Sequence, residues 1–260
     1  MKIAIVQTNP VFGAVKPNIC QALAMMETVD ADLYVLPELF NTGYNFIDKN
    51  EAESLAETTS GATYQSMAGF AKKKSCYIVY GFAEKADCLY NSSAMLGPSG
   101  LVGMYRKIHL FDRENLFFAP GDLGFPVFDL PFGKIGMMIC FDWMYPESAR
   151  TLALRGAQLI AHPSNLVMPY CPDAMVTRCL ENRIFAATAN RIGEEARGTV
   201  TLKYIGKSEI VSYRGEILQR LGETATGVAV ADVDLSLAAN KRINEHNDLF
   251  NGRRPSFYES

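Results

Sequence analysis

A chain of 260 residues suits one sizeable domain or at most two small ones, and 48% hydrophobic content is ordinary for a globular protein. With 25 basic against 28 acidic side chains, a formal charge of -3, there is no electrostatic case for binding nucleic acid or an anionic membrane. No apolar run approaches the roughly eighteen residues of a membrane span. The N-terminus, "MKIAIVQTNPVFG", lacks the long apolar core and small-residue cleavage site of a signal peptide, so a cytoplasmic protein is expected.

Strand-like and helix-like segments then alternate. "KIAIVQ" reads as a strand, and "PNICQALAMMETV" has helical spacing with a Pro suited to its first turn. "ADLYVLPELF" is a buried strand ending at Pro37-Glu38. "GATYQSMAGFAKKK" is a helix leading into the strand "CYIVYGFAE". "YNSSAMLGPSGLVGMYRKIHLF" reads as a hairpin turning at Gly97-Pro98-Ser99-Gly100. A strand "GKIGMMIC", a helix "PESARTLALRGA" and a strand "QLIAHPSN" follow. "PDAMVTRCLENRIFAAT" is helical and runs into the strand "AATANRIG", and "GKSEIVSYRGEILQRL" and "TGVAVADVDL" add antiparallel-looking strands. There is no linker, low-complexity tract or internal repeat, so residues 1–260 are expected to form one domain. So many strands exceed one comfortable twisted sheet. Mixed sheets with helices on their outer faces fit this order, as a two-sheet sandwich or as one large doubly wound sheet.

The six cysteines, Cys20, Cys76, Cys88, Cys140, Cys171 and Cys179, form no C-x-x-C pair and no zinc-finger spacing with histidine. A chain this long needs no disulfide staple, so the cysteines are expected to be reduced and mostly plain core residues. Cys140 stands apart. It closes the apolar run of "GMMICFDWMYPESAR", at the carboxyl end of a strand and just before a helix starting near Pro146. Sites in α/β proteins gather at the carboxyl ends of strands, and a nearby helix N-terminus or cation favours thiolate over thiol. A buried structural cysteine is the competing reading.

Four residues are candidate partners for such a nucleophile. His109 alternates with Lys107 in "RKIHLF", and His162 lies near a strand end in "AHPSN". Glu38 places a carboxylate at the end of an apolar strand, where burial raises its pKa. Lys107, at the end of a hairpin strand, offers a cation that would lower a thiol pKa or meet an oxyanion. Each has a bland counterpart: a hydrogen-bonded structural histidine, a turn cap for Glu38, a solvent-seeking stem for Lys107. Glu114, in "HLFDRENLFF", is a further carboxylate that would hold Lys107 or position a water, or else form a surface salt bridge. With no Walker loop, G-x-G-x-x-G, H-E-x-x-H or EF-hand loop, no nucleotide, cofactor or metal is expected.

Taken together, three segments resemble the nitrilase superfamily of carbon–nitrogen hydrolases. "LPELFNTGY" is similar to its glutamate motif, "YRKIHLF" followed by "FFAPGD" to its lysine motif, and "GMMICFDWMYPESAR" to its cysteine motif. "RGAQLIAHPSN" and "RCLENRIFAATANRIG" match downstream in order and spacing, so the resemblance covers nearly the whole chain. It implies an α/β fold, a four-layer αββα sandwich of two mixed sheets flanked by helices. It implies Glu38 as general base and acid, Lys107 as electrostatic stabiliser and Cys140 as nucleophile, with Glu114 assisting. The implied reaction converts a small, aliphatic amide or nitrile to carboxylate and ammonia through an acyl-thioester, with the Phe141 N–H helping to meet the oxyanion. Tyr44, Phe141, Asp142, Trp143, Tyr145, Asn165 and Met168 lie in or beside the matched segments and are the expected substrate-binding residues. Phe111 belongs to the same apolar wall. Many nitrile-acting members carry Trp-Glu after the cysteine; Phe141-Asp142 here leans toward amidase. An N-carbamoyl amine hydrolase and a non-catalytic binding protein on the same fold are the alternatives. The resemblance also implies a homodimer or higher homo-oligomer assembled through the helices beginning at Pro146 and Pro172, with Arg253, Arg254 and Tyr258 reaching toward the partner.

Overall fold

The computed structural model describes residues 1–258. In chain order the elements are β1 (Lys2–Gln7), α1 (Val15–Met26), β2 (Leu33–Val35), α2 (Lys49–Leu55), α3 (Ala62–Lys74), β3 (Tyr77–Lys85), β4 (Leu89–Gly97) and β5 (Gly100–Arg106). They continue with β6 (Val127–Leu130), β7 (Gly133–Met137), α4 (Pro146–Leu154), β8 (Leu159–Pro163), α5 (Cys171–Asn182), β9 (Phe185–Ala189), β10 (Glu194–Arg197), β11 (Val200–Lys203), β12 (Glu209–Val211), β13 (Ile217–Arg220) and β14 (Gly227–Asp232).

Two six-stranded sheets result, ordered β14-β1-β2-β3-β4-β5 and β13-β12-β9-β8-β7-β6. Each is built around three parallel strands, β1-β2-β3 and β7-β8-β9, extended by antiparallel neighbours. The side-chain period of two explains why the parallel strands read as unbroken apolar runs. In β1, Ile3 and Ile5 point into the space between the sheets, while Ala4 and Val6 point to the outer helices. In β2 the division is Leu33 and Val35 inward, Tyr34 outward. Helices α1 and α3 cover the outer face of the first sheet, and α4 and α5 that of the second. The fold is therefore the αββα sandwich and not one doubly wound sheet.

Four elements escape the sequence reading. The short helix α2 is capped by Asp48, whose side chain accepts from the Glu51 N–H while Glu51 accepts from the Ile47 N–H. The spacing Asp48-x-x-Glu51 is the signal that marks it. Strand β6 pairs with β7, and β10 with β11 form a separate two-stranded hairpin turning at Gly198, in the left-handed region at φ 58°. Among the described residues, no helix is long and apolar enough to cross a membrane, and no group of three or more His, Cys, Asp or Glu is placed to hold a metal ion.

Candidate active site

The carboxyl ends of β2, β5, β7 and β8 deliver Glu38, Lys107, Cys140 and Asn165 to one edge of the sandwich. Glu38 follows β2 by three residues and is wholly buried. The chain turns there because Leu39 takes a left-handed φ of 48°, a conformation that costs a branched residue about 1 kcal/mol or more. The turn presses against β3 where the sequence supplies Gly81. A Cβ on Gly81 would lie 2.6 Å from Glu38 Cα and 2.9 Å from the Leu39 nitrogen. Both are backbone atoms and cannot swing aside. Gly81→Ala is therefore expected to push Glu38 off its position, lowering kcat/KM about 100-fold and stability by about 1–3 kcal/mol. Ammonia-release kinetics beside urea denaturation check this; wild-type values on both would refute the packing argument.

Lys107 begins where β5 ends. Its N–H donates to the Asn91 carbonyl and its carbonyl accepts from the Gly121 N–H, each at 2.8 Å, so its backbone is clamped on both sides. The ammonium donates to Glu38 Oε1 at 2.6 Å and to Glu114 Oε1 at 2.7 Å, with all three side chains buried. Glu114 thus holds Lys107 from the interior, and the surface salt bridge is excluded. Asn91 completes the network by donating to Glu38 Oε1 at 2.7 Å and to Glu114 Oε2 at 3.3 Å. The Tyr44 hydroxyl donates to Glu114 Oε1.

Two carboxylates and one ammonium in a dry pocket leave one uncompensated negative charge. Burial drives the Glu38 pKa up; Lys107 opposes the rise and Glu114 adds to it, leaving Glu38 at about 7. Burial alone would lower the Lys107 pKa, but Glu114 and Glu38 overcome it and keep the ammonium charged. Glu38 Oε1 takes both Lys107 and Asn91, while buried Oε2 has no hydrogen-bond partner among the described residues. That oxygen is free to exchange a proton.

Cys140 sits on the sharp turn between β7 and α4 with φ at 40°, another left-handed non-glycine residue. Two side chains hold this elbow. Asp142 accepts from the Ile139 N–H at 2.8 Å, the Tyr105 hydroxyl at 2.7 Å and His109 Nδ1 at 2.8 Å. His162 donates from Nε2 to the Cys140 carbonyl at 2.9 Å while its Nδ1 faces Thr188 Oγ1 at 3.0 Å. Burial lowers the His162 pKa to about 4, so this imidazole is neutral. Burial raises the Cys140 thiol well above its usual range, and Glu38 raises it further against the pull of Lys107 and the Asn165 backbone N–H. The resting group is a thiol with a carboxylate base in its field.

Several expectations need correcting. Neither His109 nor His162 partners the thiol: His109 is bonded to Asp142 and stacked on Tyr145 with ring centroids 3.7 Å apart, and His162 serves the backbone. Asp142, expected beside the substrate, is wholly buried, and its oxygens accept from the Ile139 N–H, the Tyr105 hydroxyl and His109 Nδ1. Tyr145 packs on His109 and the edge of Phe141 and does not line the cleft. The cleft beside Cys140 is narrow, with a cavity volume of about 10 Å³, and is walled by Phe111, Phe141, Trp143, Asn165, Leu166 and Met168. A second small hollow, between Tyr44, Phe46 and Glu114, shares Phe111 with it. Apart from Asn165 the walls of the cleft beside Cys140 are apolar.

Sequence reasoning missed Asn91 and the clamp on the loop after Glu38. In that clamp Glu195 accepts from the Asn45 N–H at 2.7 Å and the Tyr44 N–H at 3.1 Å, pairs with buried Arg191, and accepts from the Tyr204 hydroxyl at 3.1 Å. Gly43, at φ 81°, leaves room for that carboxylate, since a Cβ would stand 2.7 Å from Glu195 Oε1.

Comparison with known proteins gives concordant results. The family model described as carbon-nitrogen hydrolase matches residues 2–243. The chain is 52% identical over 263 residues to a nitrilase of Pyrococcus abyssi, covering 99% of each. It is 31% identical over 255 residues to omega-amidase NIT2 of Homo sapiens, covering 92% of this chain and 89% of the relative. The crystal structure of a carbon-nitrogen hydrolase from Helicobacter pylori G27 superposes with a TM-score of 0.87 at 23% identity, covering 99% and 96% of the two chains.

Proposed function

This chain belongs to the carbon–nitrogen hydrolase family of the nitrilase superfamily, and from that premise we propose that it hydrolyses a small, aliphatic amide or nitrile through an acyl-thioester on Cys140. The observation that carries the reading is the division of labour at Glu38: Oε1 is held by Lys107 and Asn91, Oε2 is buried without a hydrogen-bond partner among the described residues, and the charge of this carboxylate acts on the Cys140 thiol. The relatives bear both names, nitrilase and omega-amidase; the amide is the substrate favoured here.

Glu38 Oε2 accepts the thiol proton as the sulfur attacks the carbonyl carbon. The electron pair of the C=O bond moves to oxygen, where the Lys107 ammonium and the Phe141 N–H meet the developing charge. On collapse the C–N bond breaks, Glu38 returns its proton to the leaving nitrogen, and ammonia departs. Water then attacks the thioester, giving its proton to Glu38, and Cys140 is expelled and reprotonated as the acid is released. With a nitrile, addition of the S–H across the triple bond gives a thioimidate. Hydration and ammonia loss then lead to the same acyl-enzyme.

The same reading takes residues 1–260 as one catalytic domain, working in a reducing, cytoplasmic setting that suits six unpaired cysteines. It takes the enzyme as a homodimer or higher homo-oligomer joined through α4 and α5, where Leu154, Tyr170 and Leu180 are exposed. The test is ammonia release from a panel of short amides, nitriles and N-carbamoyl amines. Release from short aliphatic amides is expected. Silence across the panel would defeat the reading.

A further inference from the structure

Asn165 lies two residues beyond β8, is 3% exposed, and lines the cleft with Cys140. It links the two halves of the site. Its backbone N–H faces the Cys140 sulfur, and its side-chain Nδ2 donates to the Glu38 carbonyl at 2.8 Å. The second contact fixes which way the carboxamide points. A backbone carbonyl only accepts, so the NH2 end must face Glu38 and the oxygen must face the other way. Oδ1 is therefore a buried acceptor of known orientation, and no donor among the described residues reaches it.

A buried carbonyl oxygen without a donor is expensive, and it becomes an asset when the ligand brings the missing N–H. The neighbouring walls of the cleft are Phe111, Phe141, Trp143, Leu166, Val167 and Met168, and their one side-chain N–H, on Trp143, makes no hydrogen bond to Oδ1. Glu38 Oε2 is a second unpartnered acceptor. Two buried acceptors of the site thus stand unpartnered, of which Asn165 belongs to the wall of the cleft. A primary carboxamide carries two N–H donors on the nitrogen that must leave. A nitrile of the same carbon skeleton carries none.

We propose that Asn165 Oδ1 receives one N–H of the substrate's primary carboxamide and thereby selects amides over nitriles, turning the leaving nitrogen toward Glu38. This rests on the acyl-thioester reading above and adds to it the residue that decides the substrate class. A site built to bond a donor rejects the analogue that lacks it far more strongly than a site that reads only size, because the protein group is left unpaired. Asn165 is also a positioning residue through its bond to the Glu38 carbonyl, so the test must separate the two roles.

The separation comes from three propionyl substrates: propionamide, propionitrile and 4-nitrophenyl propionate. Only the amide has an N–H, and all three lead to the same propionyl-enzyme. Wild-type protein is expected to prefer propionamide to propionitrile by about 100-fold or more in kcat/KM. In Asn165→Leu, kcat/KM for propionamide should fall about 30-fold more than the values for the nitrile and the ester, which share only the loss of support to Glu38. The amide-to-ester ratio does not depend on how much of the variant is folded, and Asn165→Ala repeats the measurement if the leucine is not accommodated. Equal losses on amide and ester would reduce Asn165 to a support for Glu38 and overturn the inference, as would a wild-type preference for the nitrile. The absence of a nitrophenolate burst in wild-type protein would instead overturn the acyl-thioester reading, and the inference with it.

Discussion

Cys140→Ala is expected to lower ammonia release by roughly 10⁴-fold or more while leaving the fold in place. The size of the effect follows from the chemistry. Without sulfur there is no covalent intermediate, and Glu38, Lys107 and the cleft can only orient a water against an unactivated amide. The survival of the fold follows from the packing. The elbow is held by Asp142, His162 and the backbone of β7, none of which depends on the thiol. Alanine accepts φ of 40° no worse than cysteine does. Steady-state ammonia assays give the rate. Circular dichroism melting should place the variant within a few degrees of wild type, about what loss of one small buried group implies. Intact-mass measurement after mixing with a fluorogenic or chromogenic ester should show an acyl adduct on wild-type protein and none on the variant. Ammonia release by Cys140→Ala near the wild-type rate would mean that another group is the nucleophile.

Why Cys140 was legible from sequence, and much of its surroundings was not, has a physical explanation. Glu38, Lys107 and Cys140 each end an apolar strand with a group that is costly to bury, and that conflict is visible in a string of letters. Asn91 lies in an equally buried strand, but an asparagine there reads as one polar residue among Asn91-Ser92-Ser93, and nothing local says that its amide meets two carboxylates from other elements. Glu195 and Arg191 act on a loop about 150 residues earlier in the chain, through contacts that only the sandwich creates. His109 shows the opposite failure. Period-two alternation puts it on the face of Lys107, but β5 ends at Arg106, and beyond a strand end alternation has no force. The imidazole turns to Asp142 instead. Asp142 reads as a cleft residue because it neighbours Cys140, but the strained elbow needs an acceptor for its own Ile139 N–H, and Asp142 supplies it.

Glu38→Gln is the second decisive substitution, with an expected loss of about 10³-fold in kcat. Glutamine keeps an oxygen for Lys107 and Asn91, so the network survives, but it cannot take the thiol proton or return one to ammonia. The pH dependence carries the sharper test. Glu38 must be ionised to act as base, and its pKa is pushed up to about 7, chiefly by burial. Wild-type kcat/KM should therefore rise with pH through about 7, and the residual activity of Glu38→Gln should lack that limb. Stability follows the same proton with the opposite sense. An unfolded glutamate ionises near its ordinary value of 4.5, so between 4.5 and about 7 the folded chain holds a proton that the unfolded chain has released. This group's contribution to stability is thus full at low pH and is lost as pH rises through about 7. The variant has no such proton. Its melting temperature relative to wild type should be higher at pH 8 than at pH 5, and an equal difference at both would show that Glu38 does not titrate in this range. A carboxylate that destabilises the fold at the pH where the enzyme needs it as a base is the expected signature of a site shaped for catalysis over rigidity.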